Sequence, residues 1–298
     1  MSGHQRREIA LLVNPAAGKG RAVQSVDVVR PRFAAAGLAV RSLVGADVDE
    51  AHDLARGAVR DGVDALVVVG GDGMVNVALQ AVATTATPLG LVPAGTGNDV
   101  ARLLGLRRRD PLAAADRVVH ALATGRRRTL DLARAGGRYY ATVLAAGFDA
   151  VVNERANQMT WPRGQMRYNL ATVRELRTFS PLSYVLDLDG REHRTDAMLV
   201  AVGNGPSFGG GLRIAEGARA DDGLLDVVVI KPISKPELVR TYPRLFRGTH
   251  TTHPQFERHR VRRVTVAAAG VVGYADGERF GPLPLTVEAV PAALEVLA

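Results

Sequence analysis

Residues 64–83 read DALVVVGGDGMVNVALQAVA, an apolar run followed by a glycine-rich turn and an amphipathic stretch. The apolar run predicts a buried strand, and the stretch after the turn predicts a helix. Glycines let the backbone approach a ligand closely, and the first amides of a helix attract an anion. Asp72 would repel a phosphate unless a metal ion lies between them or the carboxylate receives hydrogen bonds. The turn therefore indicates a nucleotide with magnesium, and a plain tight turn is the alternative.

Strand and helix patterns alternate from residue 9 to about residue 124. This βαβ rhythm predicts a parallel doubly wound sheet, whose functional loops lie at the carboxyl ends of the strands. Three glycine-rich turns would then meet at one edge of the sheet: residues 14–18, 70–73 and 93–97. Their convergence favours a nucleotide crevice over three unrelated loops.

The pattern changes at about residue 129 to short strands with few helices, the helical candidates being residues 152–179 and 235–247. This composition predicts an antiparallel sandwich or an open barrel as a second domain. The fold class is therefore α/β followed by a β-rich sandwich. We place the α/β nucleotide-binding domain at residues 1–128, with a tail at about 289–298 that is free to return to it, and the β-rich domain at residues 129–288.

Composition narrows the class of protein. The 298 residues are 47% hydrophobic, and no apolar run approaches the roughly 20 residues that a membrane-spanning helix requires. The first apolar run ends at Asn14-Pro15 after five residues, which predicts a strand and not a secretory signal. The chain has no cysteine, which excludes disulfides and a thiol nucleophile and favours a cytoplasmic location.

The formal charge of +8 indicates attraction to an anionic partner. Much of it is arginine, including residues 107–109 and 126–128. Because only 5% of the residues are aromatic, we expect no nucleic-acid binding. Two interpretations of these arginines stay open: transient contact with an anionic membrane, or an ordinary solvated surface. The oligomeric state, including a homodimer, is left open.

A second glycine-rich turn, at residues 93–99, reads Pro-Ala-Gly-Thr-Gly-Asn-Asp. It supplies a hydroxyl at Thr96 and a carboxylate at Asp99 just before a short helical pattern. Capping of that helix by Asn98 or Asp99 is the ordinary interpretation. If the turn faces Asp72 across the crevice, Thr96 and Asp99 become candidates for nucleotide binding.

Two polar residues near the ends of the first two predicted strands are further candidates. Asn14 begins a segment that lacks the spacing of a P-loop, so a simple turn and a nucleotide contact are both open. Ser42 offers a hydroxyl to the same ligand or is an ordinary strand-end serine.

The motifs NPxxG at 14–18, GGDG at 70–73 and GTGND at 95–99 occur in this order. Together they resemble the diacylglycerol kinase catalytic family, which includes bacterial lipid kinases and sphingosine and ceramide kinases. DDGLLD at 221–226 and DGE at 276–278 extend the resemblance over essentially the whole chain and favour the bacterial lipid kinase branch.

This resemblance implies ATP-dependent transfer of the γ-phosphate to a lipid hydroxyl, with diacylglycerol or a related lipid as acceptor and ATP and Mg²⁺ as cofactors. The β-rich domain would then hold the lipid. Two alternatives stay open: an NAD kinase-like enzyme, which shares the GGDG motif, and a nucleotide- or lipid-binding regulator without catalysis.

The resemblance also implies roles for individual residues. Glu278 would be the general base that takes the proton of the lipid hydroxyl. Asp72, also catalytic, would order magnesium and water near the phosphates together with Asp99 and Asp131. The residues that would bind the nucleotide are Asn14, Ser42, Gly70, Gly71, Asp72, Gly73, Met74, Asn76, Thr96, Asp99 and Asp131.

Two further sites follow from the same resemblance. A structural magnesium ion is implied at Asp222, with the backbone carbonyls of Arg219 and Leu224 as its other protein ligands. Asp149 would contact the lipid head group. The chain departs from the family at Met74 and Val77, where threonine and glutamate are common, and this lowers the expected catalytic efficiency.

Overall fold

A computed structural model describes residues 7–14, 21–106, 110–147 and 180–297. The chain divides into two compact units, one drawn from residues 1–132 and 291–298 and the other from residues 133–290. The predicted helix at 152–179 lies outside the described residues. Among those described, no helix is both long enough and apolar enough to span a bilayer.

The first unit is built on a parallel sheet in the order β2-β1-β3-β4. The C-terminal strand extends this sheet, because Val296 pairs with Leu89 in parallel. Its elements are β1 (Glu8–Val13), α1 (Arg21–Ala35), β2 (Ala39–Leu43), α2 (Val48–Arg60), β3 (Ala65–Gly70), α3 (Asp72–Val82), β4 (Leu89–Pro93), α4 (Asp99–Leu103) and α5 (Pro111–Thr124). The prediction of an α/β domain with a parallel sheet is confirmed.

Helices cover both faces of this sheet, so its central strands read as unbroken apolar runs. All six residues of β3 are buried. One face packs on α1 and α5 through a cluster that includes Phe33, Val67 and Val118. On the other face α2 packs against α3.

Two helices begin earlier than the sequence predicted. The helix expected from residue 74 begins at Asp72, and the helix expected from residue 100 begins at Asp99. Both extra starts carry an aspartate in the first turn, where a carboxylate interacts favourably with the positive end of the helix dipole. Asp72 therefore belongs to a helix and not to the loop that precedes it.

The second unit contains antiparallel strands in two sheets. One sheet has the order β12-β11-β10-β7-β14-β15, and the other contains the run β16-β13-β8-β9. The strands are β5 (Arg127–Ala135), β6 (Arg138–Tyr140), β7 (Val143–Gly147), β8 (Leu182–Leu188), β9 (Arg191–Ala197), β10 (Leu199–Gly203), β11 (Leu225–Ile230), β12 (Phe256–Val261), β13 (Arg263–Ala267), β14 (Val272–Ala275), β15 (Glu278–Pro282) and β16 (Leu285–Leu297). A helix, α6 (Lys235–Arg247), joins β11 to β12 through a short 3₁₀ turn.

The two sheets of this unit share one apolar core. Leu186, Val264 and Val287 come from the β16-β13-β8-β9 sheet, and Val200 and Val227 come from the other. Alternate residues of each strand face this core, as in other β-sandwiches. The prediction of an antiparallel sandwich is confirmed.

One predicted strand is broken in the structure. The apolar pattern of residues 139–145 predicts one strand, but β6 ends at Tyr140 and β7 begins at Val143. The break lies where the amides of Ala141 and Thr142 donate to the carboxylate of Asp276 instead of to a neighbouring strand.

Leu186→Ala is expected to lower the free energy of unfolding of the second unit by about 2–5 kcal/mol, because it leaves a cavity in the shared core. Val239→Ala is the control: its side chain is 60% exposed, so the change should stay within about 0.5 kcal/mol. Urea titration followed by circular dichroism measures both. An equal loss in the two variants would contradict the position of Leu186 in the core.

Candidate functional site

The carboxyl edge of the parallel sheet carries the segments that follow β1, β3 and β4, which contain Asn14 and the turns at 70–73 and 93–99. Strands β1, β3 and β4 are neighbours, with Val13 paired to Val69 and Gly70 paired to Pro93. The segments that follow these strands therefore leave the sheet side by side. Ligand sites of open α/β sheets lie at such an edge.

The two glycine-rich turns of this edge pack backbone against backbone. A Cβ atom added to Gly95 would lie 2.4 Å from the Cα atom of Gly71, well inside van der Waals contact. A Cβ atom added to Gly97 would lie 2.5 Å from Oδ2 of Asp72. No larger residue fits at Gly95 without moving the turn after β3.

Asp72 connects the two turns by hydrogen bonds. Its Oδ1 accepts from the backbone amide of Asp99 at 2.7 Å and from that of Val100 at 3.4 Å. The carboxylate thus caps α4 from a different helix, while its Oδ2 is the oxygen beside Gly97. The side chain of Asp99 in turn pairs with Arg102 at 2.5 Å. The structure therefore brings Asp72 and Asp99 together, as the sequence suggested.

Asn98 holds the second turn in shape. It is buried, and its backbone is left-handed with a φ of 56°. Its Oδ1 accepts from the amide of Gly95 at 3.0 Å, and its Nδ2 donates to the carbonyl of the same residue at 2.8 Å. Sequence reasoning treated Asn98 only as a helix cap. The feature that could have indicated its role in the turn is the residue type, because asparagine adopts a left-handed backbone more readily than most residues.

Asn76 is a buried polar residue inside α3, with 3% of its surface exposed. Its Nδ2 makes no hydrogen bond within the described residues. A buried donor without an acceptor costs about 1–3 kcal/mol, so this atom favours a ligand that supplies one. Met74 is buried in the same helix beside Gly70. Because the Met74 side chain is buried, a nucleotide contact by Met74, which stays a prediction, would use its backbone amide.

The remaining candidates of the first unit occupy three different places. Asn14 is half-buried directly after β1. Ser42 is exposed on β2, the outermost strand, opposite Leu11. Asp131 is buried on β5 and accepts a hydrogen bond from the amide of Ala292 at 2.8 Å, so the C-terminal strand holds it.

In the second unit, the DGE segment forms a pinned turn. Asp276 is buried with a left-handed φ of 50°, and it accepts from the amides of Ala141 at 2.8 Å and Thr142 at 3.1 Å. Glu278 is exposed at the start of β15, two residues later. The turn is thus fixed by Asp276, while the carboxylate of Glu278 points to solvent within this unit. Asp149 lies outside the described residues.

The predicted magnesium residue Asp222 is already engaged. Its Oδ2 pairs with the guanidinium of Arg260, and its Oδ1 accepts from the amide of Leu224 at 3.1 Å. The side chain of Arg219 pairs with Asp221 at 3.0 Å. Arg260 thus neutralises the charge of Asp222, and the magnesium ion stays a prediction.

A second pair of an aspartate and an arginine lies near this segment and was not predicted from the sequence. Asp226, on β11, is almost fully buried and pairs with Arg258 of β12 at 2.5 Å. Burial raises the pKa of the Asp226 carboxyl, although Arg258 opposes this by its hydrogen bond. Only the pairing of β11 with β12 brings these residues together, and sequence alone does not give that pairing.

Comparison with known proteins follows the same division of the chain. Residues 8–135 match the diacylglycerol kinase catalytic domain, and residues 142–298 match the YegS C-terminal NAD kinase beta sandwich-like domain. Over 300 residues the chain is 43% identical to a diacylglycerol kinase of Mycobacterium tuberculosis, with 99% of this chain and 96% of that protein covered. The chain belongs to the diacylglycerol kinase family.

More distant members agree with this assignment. A diacylglycerol kinase of Bacillus subtilis is 27% identical over 92% of this chain and 90% of its own length. The crystal structure of a putative diacylglycerol kinase from Bacillus anthracis superposes with a TM-score of 0.79 at 23% identity, covering 98% of this chain and 96% of that one. The second likeness supports the fold alone.

Membership of the diacylglycerol kinase family confirms the interpretation of the chain as a lipid kinase that uses ATP. The two departures from the family pattern, Met74 and Val77, are both buried in α3. Where the family commonly has threonine and glutamate, these two apolar side chains therefore pack within the first unit. The individual roles assigned to site residues stay predictions.

Gly97→Ala is expected to lower kinase activity on the order of 100-fold, because its methyl group would push the Asp72 carboxylate off the start of α4. Phosphorylated-lipid formation and ATP affinity measure the effect. Gly57→Ala is the control: in α2 its methyl group would meet only the Arg60 side chain, at 4.0 Å, and should raise stability by about 0.5–1 kcal/mol. Full activity in Gly97→Ala would contradict the role of the Asp72 contact.

Proposed function

We propose that this protein transfers the γ-phosphoryl group of ATP to the free hydroxyl of diacylglycerol. The observation that carries the proposal is the contact between the two glycine-rich turns, closed by the hydrogen bonds of Asp72 to the start of α4. This contact supplies backbone amides and carboxylates at a single edge. The relative in Mycobacterium tuberculosis, named diacylglycerol kinase, supports diacylglycerol as the acceptor.

The nucleotide phosphates would bind along the turn at 70–73 and the first turn of α3. The first amides of α3 have no carbonyl partner within the helix, and the helix dipole favours negative charge there. The buried Nδ2 of Asn76 would donate to the nucleotide or to a water molecule that it holds. Asn14 and Thr96 would approach the ligand from the two flanking segments.

Magnesium fits the donors present at this edge. Carboxylate oxygens are hard ligands that suit Mg²⁺, and the structure places the Asp72 carboxylate next to the turn that carries Asp99. When bound, the ion would neutralise phosphate charge. Asp72, Asp99 and Asp131 would hold and orient it through carboxylates that the surrounding amides and Arg102 already fix.

Glu278 would act as the general base. As the lipid hydroxyl oxygen bonds to the γ-phosphorus and ADP leaves, the hydroxyl proton passes to the Glu278 carboxylate. The pinned Asp276 turn fixes the backbone beside Glu278, and its side chain is exposed and thus accessible to a substrate. Positioning and charge neutralisation supply the remaining rate enhancement.

Glu278→Gln is expected to lower the rate of phosphatidic acid formation by about 10²–10⁴-fold and to leave ATP affinity nearly unchanged, because the variant loses only the base. Radiolabelled ATP with magnesium and diacylglycerol, and a parallel reaction with NAD, provide the measurement. Glu192→Gln, an exposed glutamate of β9 paired with Arg194, is the matched control.

Three results of that assay would contradict the proposal. Unchanged turnover in Glu278→Gln would remove the base from its role. Phosphorylation of NAD but not of lipid would favour an NAD kinase-like enzyme. Tight ATP binding without product for any lipid acceptor would favour a regulator without catalysis.

Helix α6 supports the proposal that the protein makes transient contact with a membrane. Tyr242 and Leu245 of α6 pack onto the second unit, whereas Val239 and Phe246 are exposed. These two apolar residues are seven positions apart and so share one side of the helix. Arg240 is exposed beside them and suits anionic head groups. A cytoplasmic protein with this surface would reach a lipid acceptor in the bilayer.

The double variant Val239→Glu, Phe246→Glu is expected to bind vesicles at least about tenfold more weakly, since two apolar side chains no longer enter the lipid. Cosedimentation with phosphatidylcholine–phosphatidylglycerol vesicles that carry diacylglycerol measures the binding. The control is Val48→Glu, which changes a 61% exposed valine of α2. Equal binding of both variants would remove α6 from membrane contact.

Two finer predictions rest on the sequence resemblance, and the oligomeric state, including a homodimer, stays open. They are a contact of Asp149 with the lipid head group and a structural magnesium ion at Asp222 with Arg219 and Leu224. An Asp222→Asn variant whose melting temperature responds to magnesium as the parent does would contradict the second.

A further inference from the structure

A cluster of three metal-ligating side chains lies in the second unit, outside the kinase residues. It consists of His193, Glu257 and His259, whose ligand atoms all lie within 4.8 Å of one another. It is the one group of three or more such side chains found in the described part of the chain. All three side chains are partly buried, with exposures of 22–31%.

Sheet register explains why these polar residues meet. Glu257 and His259 are two positions apart on β12 and lie opposite Val229 and Val227 of β11. His193 of β9 lies opposite Leu186 of β8. Residues opposite each other in antiparallel strands point to the same face, and these partners face the sandwich core.

Strands β9 and β12 are the edge strands of their respective sheets. The three side chains therefore point inward where the sandwich is open, and they meet between the two edges. Inward-pointing charged residues at an edge also protect a sheet from pairing with another chain. That protective role needs no ligand and is the alternative to be tested.

The ligand atoms converge on a single carboxylate oxygen. Nε2 of His259 lies 2.7 Å and Nε2 of His193 lies 3.3 Å from Oε1 of Glu257. Nζ of Lys231 lies 2.7 Å from the other oxygen, Oε2. Burial raises the pKa of the Glu257 carboxyl, but hydrogen bonds from Lys231 and His259 outweigh it and lower the pKa overall.

We propose that His193, Glu257 and His259 form a binding site for a transition-metal dication, zinc above all. Two imidazole nitrogens and one carboxylate oxygen are a donor set typical of zinc and unsuited to magnesium. Ligand atoms around a tetrahedral zinc ion lie roughly 3.3 Å apart, and the ligand atoms here lie within 4.8 Å of one another, so small shifts of the side chains would place them around one ion. Lys231 pairs with Oε2, the ion would replace the contact between His259 and Oε1, and a water molecule would complete the tetrahedron.

The consequence of binding would be a bridge between the two sheet edges. The ion would join β9 to β12, strands that share no backbone hydrogen bonds with each other in the two sheets. It would resist local opening of the sandwich at this end. The site belongs to the second unit alone and does not depend on the proposed kinase mechanism.

Titration of the tag-free full chain with zinc chloride, without nucleotide or magnesium, tests the proposal by calorimetry. We expect one zinc ion per chain at micromolar affinity or tighter. His193→Gln, Glu257→Gln and His259→Gln should each weaken binding at least about tenfold, since each removes a ligand. The matched control is His253→Gln, because His253 also pairs with a glutamate, Glu237 at 3.1 Å, but belongs to no such cluster among the described residues.

Thermal unfolding gives an independent readout. Zinc at about 100 times its dissociation constant should raise the melting temperature by on the order of 5 °C in the parent and in His253→Gln, and by about half as much or less in the ligand variants. Melting curves without zinc show that the variants fold. Absence of zinc binding by the parent, or equal binding by the His193→Gln, His259→Gln double variant, would overturn the proposal in favour of edge protection alone.

Discussion

The first unit depends on one close approach of backbone to backbone. The turn after β3 and the turn after β4 meet at Gly71 and Gly95, where a single methyl group would not fit. Asp72 then fastens the contact by accepting the amides at the start of α4. Two loops that carry carboxylates are thereby held at one edge of the sheet, the arrangement that the proposed binding of phosphates and a metal ion requires.

The second unit depends instead on the packing of two antiparallel sheets over one core. Its interior is apolar, and several of its buried polar side chains have partners at fixed positions. Asp276 satisfies the amides where β6 and β7 break, and Asp226 is neutralised by Arg258. At the edge formed by β9 and β12, His193 and His259 both lie against one oxygen of Glu257, and Nε2 of His193 makes no hydrogen bond among the described residues.

Local patterns were enough to predict the two fold classes. Apolar runs with glycine-rich ends gave the parallel strands, and short alternating runs gave the sandwich. The motifs also identified the family. Each of the GGDG, GTGND and DGE segments is an unbroken stretch of sequence, so it can be recognised without knowing the fold. Such features need no knowledge of which strand lies beside which.

The rest depended on tertiary pairing. The capping of α4 by Asp72, the partners of Asp222 and Asp226, and the histidine–glutamate cluster all join residues that are distant in the chain. Asn98 was visible as a candidate cap, but its two bonds to Gly95 required the shape of the turn. Helix starts shifted by one or two residues because carboxylates in the first turn extended them.

Strand β16 has a consequence for how the chain folds. It runs from Leu285 to Leu297, pairs with β13 through its first residues and reaches β4 at Val296. The residues that complete the sheet of the first unit are therefore separated from its other strands by the whole second unit. Contacts this far apart in sequence form slowly. A nascent chain would carry an unfinished sheet edge until β16 is synthesised, a stage at which chaperones would protect it from aggregation.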